Sequence, residues 1–161
     1  MASYRFWHRK IGYIINHFTL FLGGCSISLK ILLDTNFLLI PSQFGVDIFQ
    51  EIDRIISRKF ELILFKGIID ELKQIAKQSA KRQKEVSIAL ELSNRCKLIE
   101  INSKTQFLRT VDEIILHLAV ENKWIVATND RKLRKKLRSY QIPIIFLRKK
   151  AFLSIEGDIP P

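Results

Sequence analysis

The sequence predicts an α/β fold in which a parallel sheet is covered by helices on both faces. Two observations carry this. From Leu29 onward, short apolar runs alternate with segments whose apolar residues recur at helical spacing. Hydrophobic residues make up 47% of the 161, with 11 Phe among them, enough for one domain with a substantial core. The charged fraction, 27%, is ordinary for a globular chain and argues against wholesale disorder.

The elements follow in order. Leu29 to Leu33 reads as a buried strand ending at Asp34. Pro41-Ser42 reads as a turn, and residues 46–57 place Val46, Phe49, Ile52 and Ile56 on one helical stripe. Phe60 to Phe65 is a second strand, with Gly67 expected as a break. Residues 68–78 and 82–94 are expected to be helical, and Leu98 to Ile101 a third strand. Val111, Ile114, Ile115 and Leu118 mark a helix over 111–121, and Trp124 to Ala127 a fourth strand. A very basic helix over 130–139 and a fifth strand from Ile142 to Leu147 complete the pattern. Residues 29–156 are therefore expected to form the domain, with 157–161 as a tail.

Residues 1–28 stand apart as an extension. Arg5, Trp7, His8, Arg9 and Lys10 are followed by a mostly apolar run over 11–24, interrupted by Asn16 and His17. That run is too short to span a bilayer comfortably, so membrane contact is not expected of it. A charged start, an apolar run and Gly23-Gly24-Cys25 imitate a secretion signal, but the remainder reads as an intracellular, cytoplasmic protein. Cys25 and Cys96 are the only cysteines and sit beside apolar residues, which fits small buried hydrophobes better than a disulfide or a zinc site.

The net charge is +11, from 27 Lys+Arg against 16 Asp+Glu, and suits a polyanionic partner. Against that background four acids stand out. Asp34 ends the first strand, Glu71 lies one turn into the helix after the second, Asp112 is in the first turn of a helix, and Asp130 just follows the fourth strand. In open α/β sheets all four positions can share the carboxyl edge. Clustered carboxylates repel one another and call for cations, and oxygen-only ligands suit Mg²⁺ or Mn²⁺. Such ions activate water and neutralise charge at a phosphate. Each acid also has a plainer use. Asp34 and Asp130 could start helices, Glu71 could be a solvated helix residue, and Asp112 could complement a helix dipole. Thr110-Val111-Asp112-Glu113 matches a capping box, so Glu113 is read as a cap. His117 could pair with Glu113 one turn earlier. The basic helix, with Arg131, Lys132, Arg134, Lys135, Lys136 and Arg138, is either a solvated face or a contact for phosphate backbone, for which Arg131, Arg134, Lys135 and Arg138 are the candidates.

Ile31-Leu-Leu-Asp34-Thr35-Asn36 resembles the opening motif of PIN domains, and Ile69-Asp-Glu71-Leu72 resembles their Glu-Leu helix. Thr110-Val-Asp112-Glu113 resembles the third acidic motif, and Val126-Ala-Thr128-Asn129-Asp130 the fourth. The last is close to archaeal proteins akin to VapC-type toxins and to the small-subunit processome nuclease. The resemblance covers about residues 29–156. It implies a three-layer α/β/α sandwich with a central, mainly parallel sheet, and Mg²⁺- or Mn²⁺-dependent endonucleolytic cleavage of RNA. It makes Asp34, Glu71, Asp112 and Asp130 catalytic, with Asp34, Asp112 and Asp130 holding metal and Asn36, Thr128 and Asn129 in support. The implied setting is rRNA processing or toxin-type cleavage, with ribosome-assembly factors or an antitoxin as partner and a homodimer as assembly. The alternative is a non-catalytic RNA-binding or ribosome-assembly component with the same fold.

Overall fold

A computed structural model describes residues 28–101 and 108–159. The basic and apolar start of the chain, with Cys25, lies outside them. Six strands form one sheet: β1 (Leu29–Leu33), β2 (Phe60–Phe65), β3 (Lys97–Ile99), β4 (Ile125–Ala127), β5 (Ile144–Arg148) and β6 (Phe152–Glu156). Their order is β3-β2-β1-β4-β5-β6. Leu29–Leu32 of β1 pairs with Phe60–Ile63 of β2, and Ile31–Leu33 with Ile125–Ala127 of β4. Every neighbour is parallel except β6, which runs antiparallel to β5. Ile31, Leu32 and Leu33 are fully buried in succession, so both faces of the sheet are covered. This is why the carboxyl half of the central strand, after Lys30, reads as a continuous apolar run rather than an alternation. Truncating such a side chain, for example Leu32→Ala, costs about 2–5 kcal/mol.

The helices are α1 (Thr35–Leu38), α2 (Ile40–Phe44), α3 (Ile48–Ile55), α4 (Lys66–Ala76), α5 (Ala80–Ser93), α6 (Val111–Asn122) and α7 (Arg131–Ser139). The α/β class and the mainly parallel sheet are as the sequence predicts. Three local expectations change. Pro41-Ser42 does not form a loop turn. Pro41 occupies the first turn of α2, where its missing N–H would have no partner anyway, and α2 ends at Gly45 with φ +67°. Gly67 is not a break but lies in the first turn of α4, where an added Cβ would stand 2.7 Å from Cε2 of Phe65. The glycine thus lets α4 start tight against the end of β2. The last strand, β6, was not expected from its residues.

β6 is tied down from outside the sheet. Glu51 Oε2 accepts from the Leu153 N–H at 2.7 Å, and Arg54 Nη2 donates to the Leu153 carbonyl at 2.9 Å. Arg138 of α7 holds Glu156 with two bonds of 2.6 and 2.8 Å. Cys96 is half-buried, and burial pushes its thiol up to about 11, so it behaves as an apolar side chain. Among the described residues, no helix is long and apolar enough to cross a membrane.

Candidate active site

From β1 the chain builds outward through β2 and β3, then returns to place β4 on the other side of β1. The strand order reverses at β1/β4, and a crevice at the carboxyl ends of the strands there is where open α/β sheets bind ligands. Asp34 directly follows β1, while Thr128, Asn129 and Asp130 follow β4. Glu71 lies on α4, which leaves the carboxyl end of β2. Asp112 is in the first turn of α6, which leads back toward the start of β4 and so begins at the same edge.

Asp34 is 2% exposed. It stands at the N-cap of α1, but its side chain makes no cap bond there. Its Oδ2 instead accepts from the Thr128 hydroxyl at 2.7 Å, across the β1/β4 boundary. Burial first, then the charges of Asp112 and Glu71, push its carboxyl up to about 6 against the opposing pull of the Thr128 bond. Asp112 is raised as well, chiefly by burial and then by Asp130 and Glu71, while Lys136 pulls it down. Through these couplings all four expected acids share one electrostatic field.

The rest of the site is built from local rules. Thr110 and Glu113 form the expected capping box, which fixes the first turn of α6 and therefore Asp112. Asp130 caps α7, its Oδ1 accepting from the N–H groups of Lys132 at 2.6 Å and Leu133 at 2.8 Å. Thr128 Oγ1 also accepts from the Asp130 N–H at 3.0 Å, so one hydroxyl links two of the acids. Asn129 Oδ1 accepts from the Leu147 N–H at 2.8 Å and ties this loop to the end of β5. Glu71 is exposed, and its Oε2 accepts from the hydroxyl of Thr35.

Some expectations shift. Asn36 is exposed and its side chain makes no hydrogen bond with a described residue, whereas Thr35 beside it is 1% exposed and holds Glu71. His117 stands 3.6 Å from Glu121 rather than pairing with Glu113, which is engaged at the cap. Within the basic helix, Arg134 lies 4.6 Å over the Phe146 ring and Arg138 is paired with Glu156. Those two arginines therefore brace the β5–β6 side. Arg131 and Lys135 are exposed, as is Lys136, which the sequence places in the basic helix and the fold brings to act on Asp112 and Glu113. A basic helix carries no local sign of which cation turns toward which neighbour.

The donor set is carboxylate oxygen, which fits a hard divalent cation. Burial, and then the neighbouring acids, raise Asp34 and Asp112, so their ionised forms would gain from a cation placed among them. Among the described residues, no three acidic, His or Cys side chains already converge on a single ion position. Glu71 is turned to Thr35, and Asp130 Oδ1 to its helix.

The family described as a PIN like domain matches residues 31–150. The chain belongs to this family. The PIN-like domain is 35% identical, over 134 residues, to Ribonuclease VapC4 of Methanocaldococcus jannaschii, covering 81% of this chain and 98% of that protein. Its fold is similar to the PIN domain endonuclease Utp24, with TM-score 0.65 and 22% identity over 81% of this chain and 92% of that one. It also resembles VapBC2 from Rickettsia felis, with TM-score 0.58 and 16% identity over 74% of this chain and all of that one. Those two likenesses bear on the fold.

Proposed function

We propose that this PIN-like domain is a metal-dependent endoribonuclease, with Asp34, Glu71, Asp112 and Asp130 as its acidic site and residues 29–156 as its catalytic unit. The observation that carries the reading is the set of four acids at the β1/β4 switch point, with buried Asp34 coupled to Asp112 and Glu71. The ribonuclease named among its relatives supports RNA as the substrate. Asp34, Asp112 and Asp130 would hold Mg²⁺ or Mn²⁺, which when bound supplies an activated water and charge neutralisation at the scissile phosphate. Thr128 orients the Asp34 carboxylate, Thr35 holds Glu71 beside it, and the cap on α7 fixes Asp130. Lys136 offsets the acidic charge at Asp112. rRNA processing and toxin-type cleavage, with an assembly factor or an antitoxin as partner, would use this same chemistry in the cytoplasm. The 5′ ends of the cleaved RNAs tell them apart.

The test is cleavage of labelled single-stranded RNA by the purified full chain. We expect cleavage with Mg²⁺ or Mn²⁺ and none in EDTA. Asp130→Asn should abolish it with an unchanged circular dichroism spectrum, because Asn still caps a helix. Full cleavage in EDTA would sink the metal reading. Binding without cleavage would return the chain to a non-catalytic RNA-binding role.

A further inference from the structure

The turn between β5 and β6 is built from residues that turns of its shape avoid. Ala151 N–H donates to the Arg148 carbonyl at 3.1 Å, and the two central residues, Lys149 and Lys150, have φ of 53° and 57°. Positive φ at both central positions is the mark of a type I′ turn, whose preferred sequences are Asn-Gly and Asp-Gly. An L side chain in this region crowds its own carbonyl, so shape alone would not select two lysines. Lys123 and Gln141 adopt the same region singly after helix ends, but among the described residues only here do two such residues stand in succession, and runs of this kind are found where function demands them.

The turn's position supplies a demand. β5 is parallel to β4 and β1, so its carboxyl end lies on the edge that carries the four acids. The bond from Leu147 N–H to Asn129 Oδ1 fastens that end to the residue preceding Asp130. β5 is two strand spacings from β1, about 10 Å. Arg148, Lys149 and Lys150 are consecutive and exposed, and among the described residues no carboxylate pairs with any of them. Arg54, Arg82 and Arg138 each have such a partner.

We infer that the Arg148–Ala151 turn is an anchor for the phosphate backbone of a bound RNA strand, with Lys149 and Lys150 holding phosphates beside the one at the acids. The inference rests on the ribonuclease reading for the identity of the polyanion. Two lysines at the tip of a tightly closed hairpin present their charges from a fixed backbone. The turn thus sets the path of the strand along the carboxyl edge rather than taking part in the chemistry.

The experiment compares the full chain with the double variant Lys149→Asn/Lys150→Gly, which gives the turn its preferred residues. RNA affinity is measured in EDTA against salt concentration with a single-stranded oligoribonucleotide, so that cleavage plays no part. We expect thermal stability to rise, affinity to fall, and the dependence of log affinity on log salt to flatten by about 1.4, or about 0.7 for each lost contact. A role confined to turn geometry predicts the same change in stability with affinity kept. Lys149→Arg/Lys150→Arg retains charge and should restore the slope. If it loses affinity as the Asn-Gly variant does, charge at these two positions is not what holds the strand and the anchor is overturned. An unchanged slope in the Asn-Gly variant, or no measurable RNA binding by the native chain, also overturns it; the first would leave the lysines to another anionic surface, such as an acidic protein. A flattened slope in a protein that never cleaves RNA would keep the anchor and remove the ribonuclease reading.

Discussion

Asp34 is where the conflicting demands on the sequence meet. A carboxylate that is 2% exposed, next to two other acids, opposes folding whenever it is ionised. With its pKa pushed up to about 6 from 3.8, the folded state binds the Asp34 proton more tightly than the unfolded chain does. The stability it contributes is therefore fully present below about pH 3.8 and is lost as pH rises through about 6, a change of about 3 kcal/mol. Asp34→Asn keeps the shape and an oxygen to accept from Thr128, but cannot ionise. In metal-free protein, the stability advantage of Asp34→Asn over the native chain should grow by up to about 3 kcal/mol between pH 4 and pH 7.5. Urea melts of both at the two pH values check this, and an advantage that stays constant would mean that the carboxyl is not shifted. At this scale the sequence was legible where a residue announces its place by a short pattern. Asp112 comes with its capping box, and Asp130 follows an apolar run and opens a helix. The partners of Thr35 and Lys136 were not legible, because Glu71 and Asp112 are brought near them by the fold alone.

Among the elements, those with apolar periodicity were legible and those shaped by exceptions were not. β1, β2, β4 and β5 declare themselves as short, mostly apolar runs, interrupted only by Lys30, Glu61 and the closing Arg148, because both faces of the sheet are covered. The stretch from Thr35 to Phe44 was hidden because a proline followed by serine signals a turn in most settings but opens a helix equally well. β6 was hidden because the hairpin before it turns on Lys149-Lys150 and lacks the Asn-Gly signal that marks such turns. As an edge strand, β6 also has to hide an open row of backbone groups. Glu51 and Arg54 do this at Leu153, taking its N–H and its carbonyl. Glu51→Ala should therefore speed hydrogen exchange at the Leu153 amide, while the amides of β1, paired on both sides, keep their protection. Unaltered exchange at Leu153 would show that α3 does not hold this edge.

For the molecule as a whole, the two signs of charge are unevenly placed. A net charge of +11 suits a polyanion, yet four acids are gathered at one switch point, where like charges weaken the fold. The order β3-β2-β1-β4-β5-β6 explains how residues so distant in sequence share an edge, and the alternation of strands and helices was enough to expect that edge. It was not enough to orient α7, whose Arg134 and Arg138 serve the β5–β6 side. A cation held at the acids would reverse their cost, because it binds the folded carboxylates and has no such site in the unfolded chain. At a concentration one hundred times its dissociation constant it should add about 2.7 kcal/mol, a rise of roughly 5–10 °C in Tm for a chain of this size. The same ion must displace the proton from Asp34, so Mn²⁺ should raise Tm more at pH 7.5 than at pH 5.5. Asp34→Asn and Asp112→Asn should each reduce the rise. Thermal melts with and without Mn²⁺ at the two pH values make the comparison, with Ca²⁺ as a larger cation. A native chain whose Tm responds equally at both pH values, or responds unchanged in the two variants, would place the binding of the ion away from these acids.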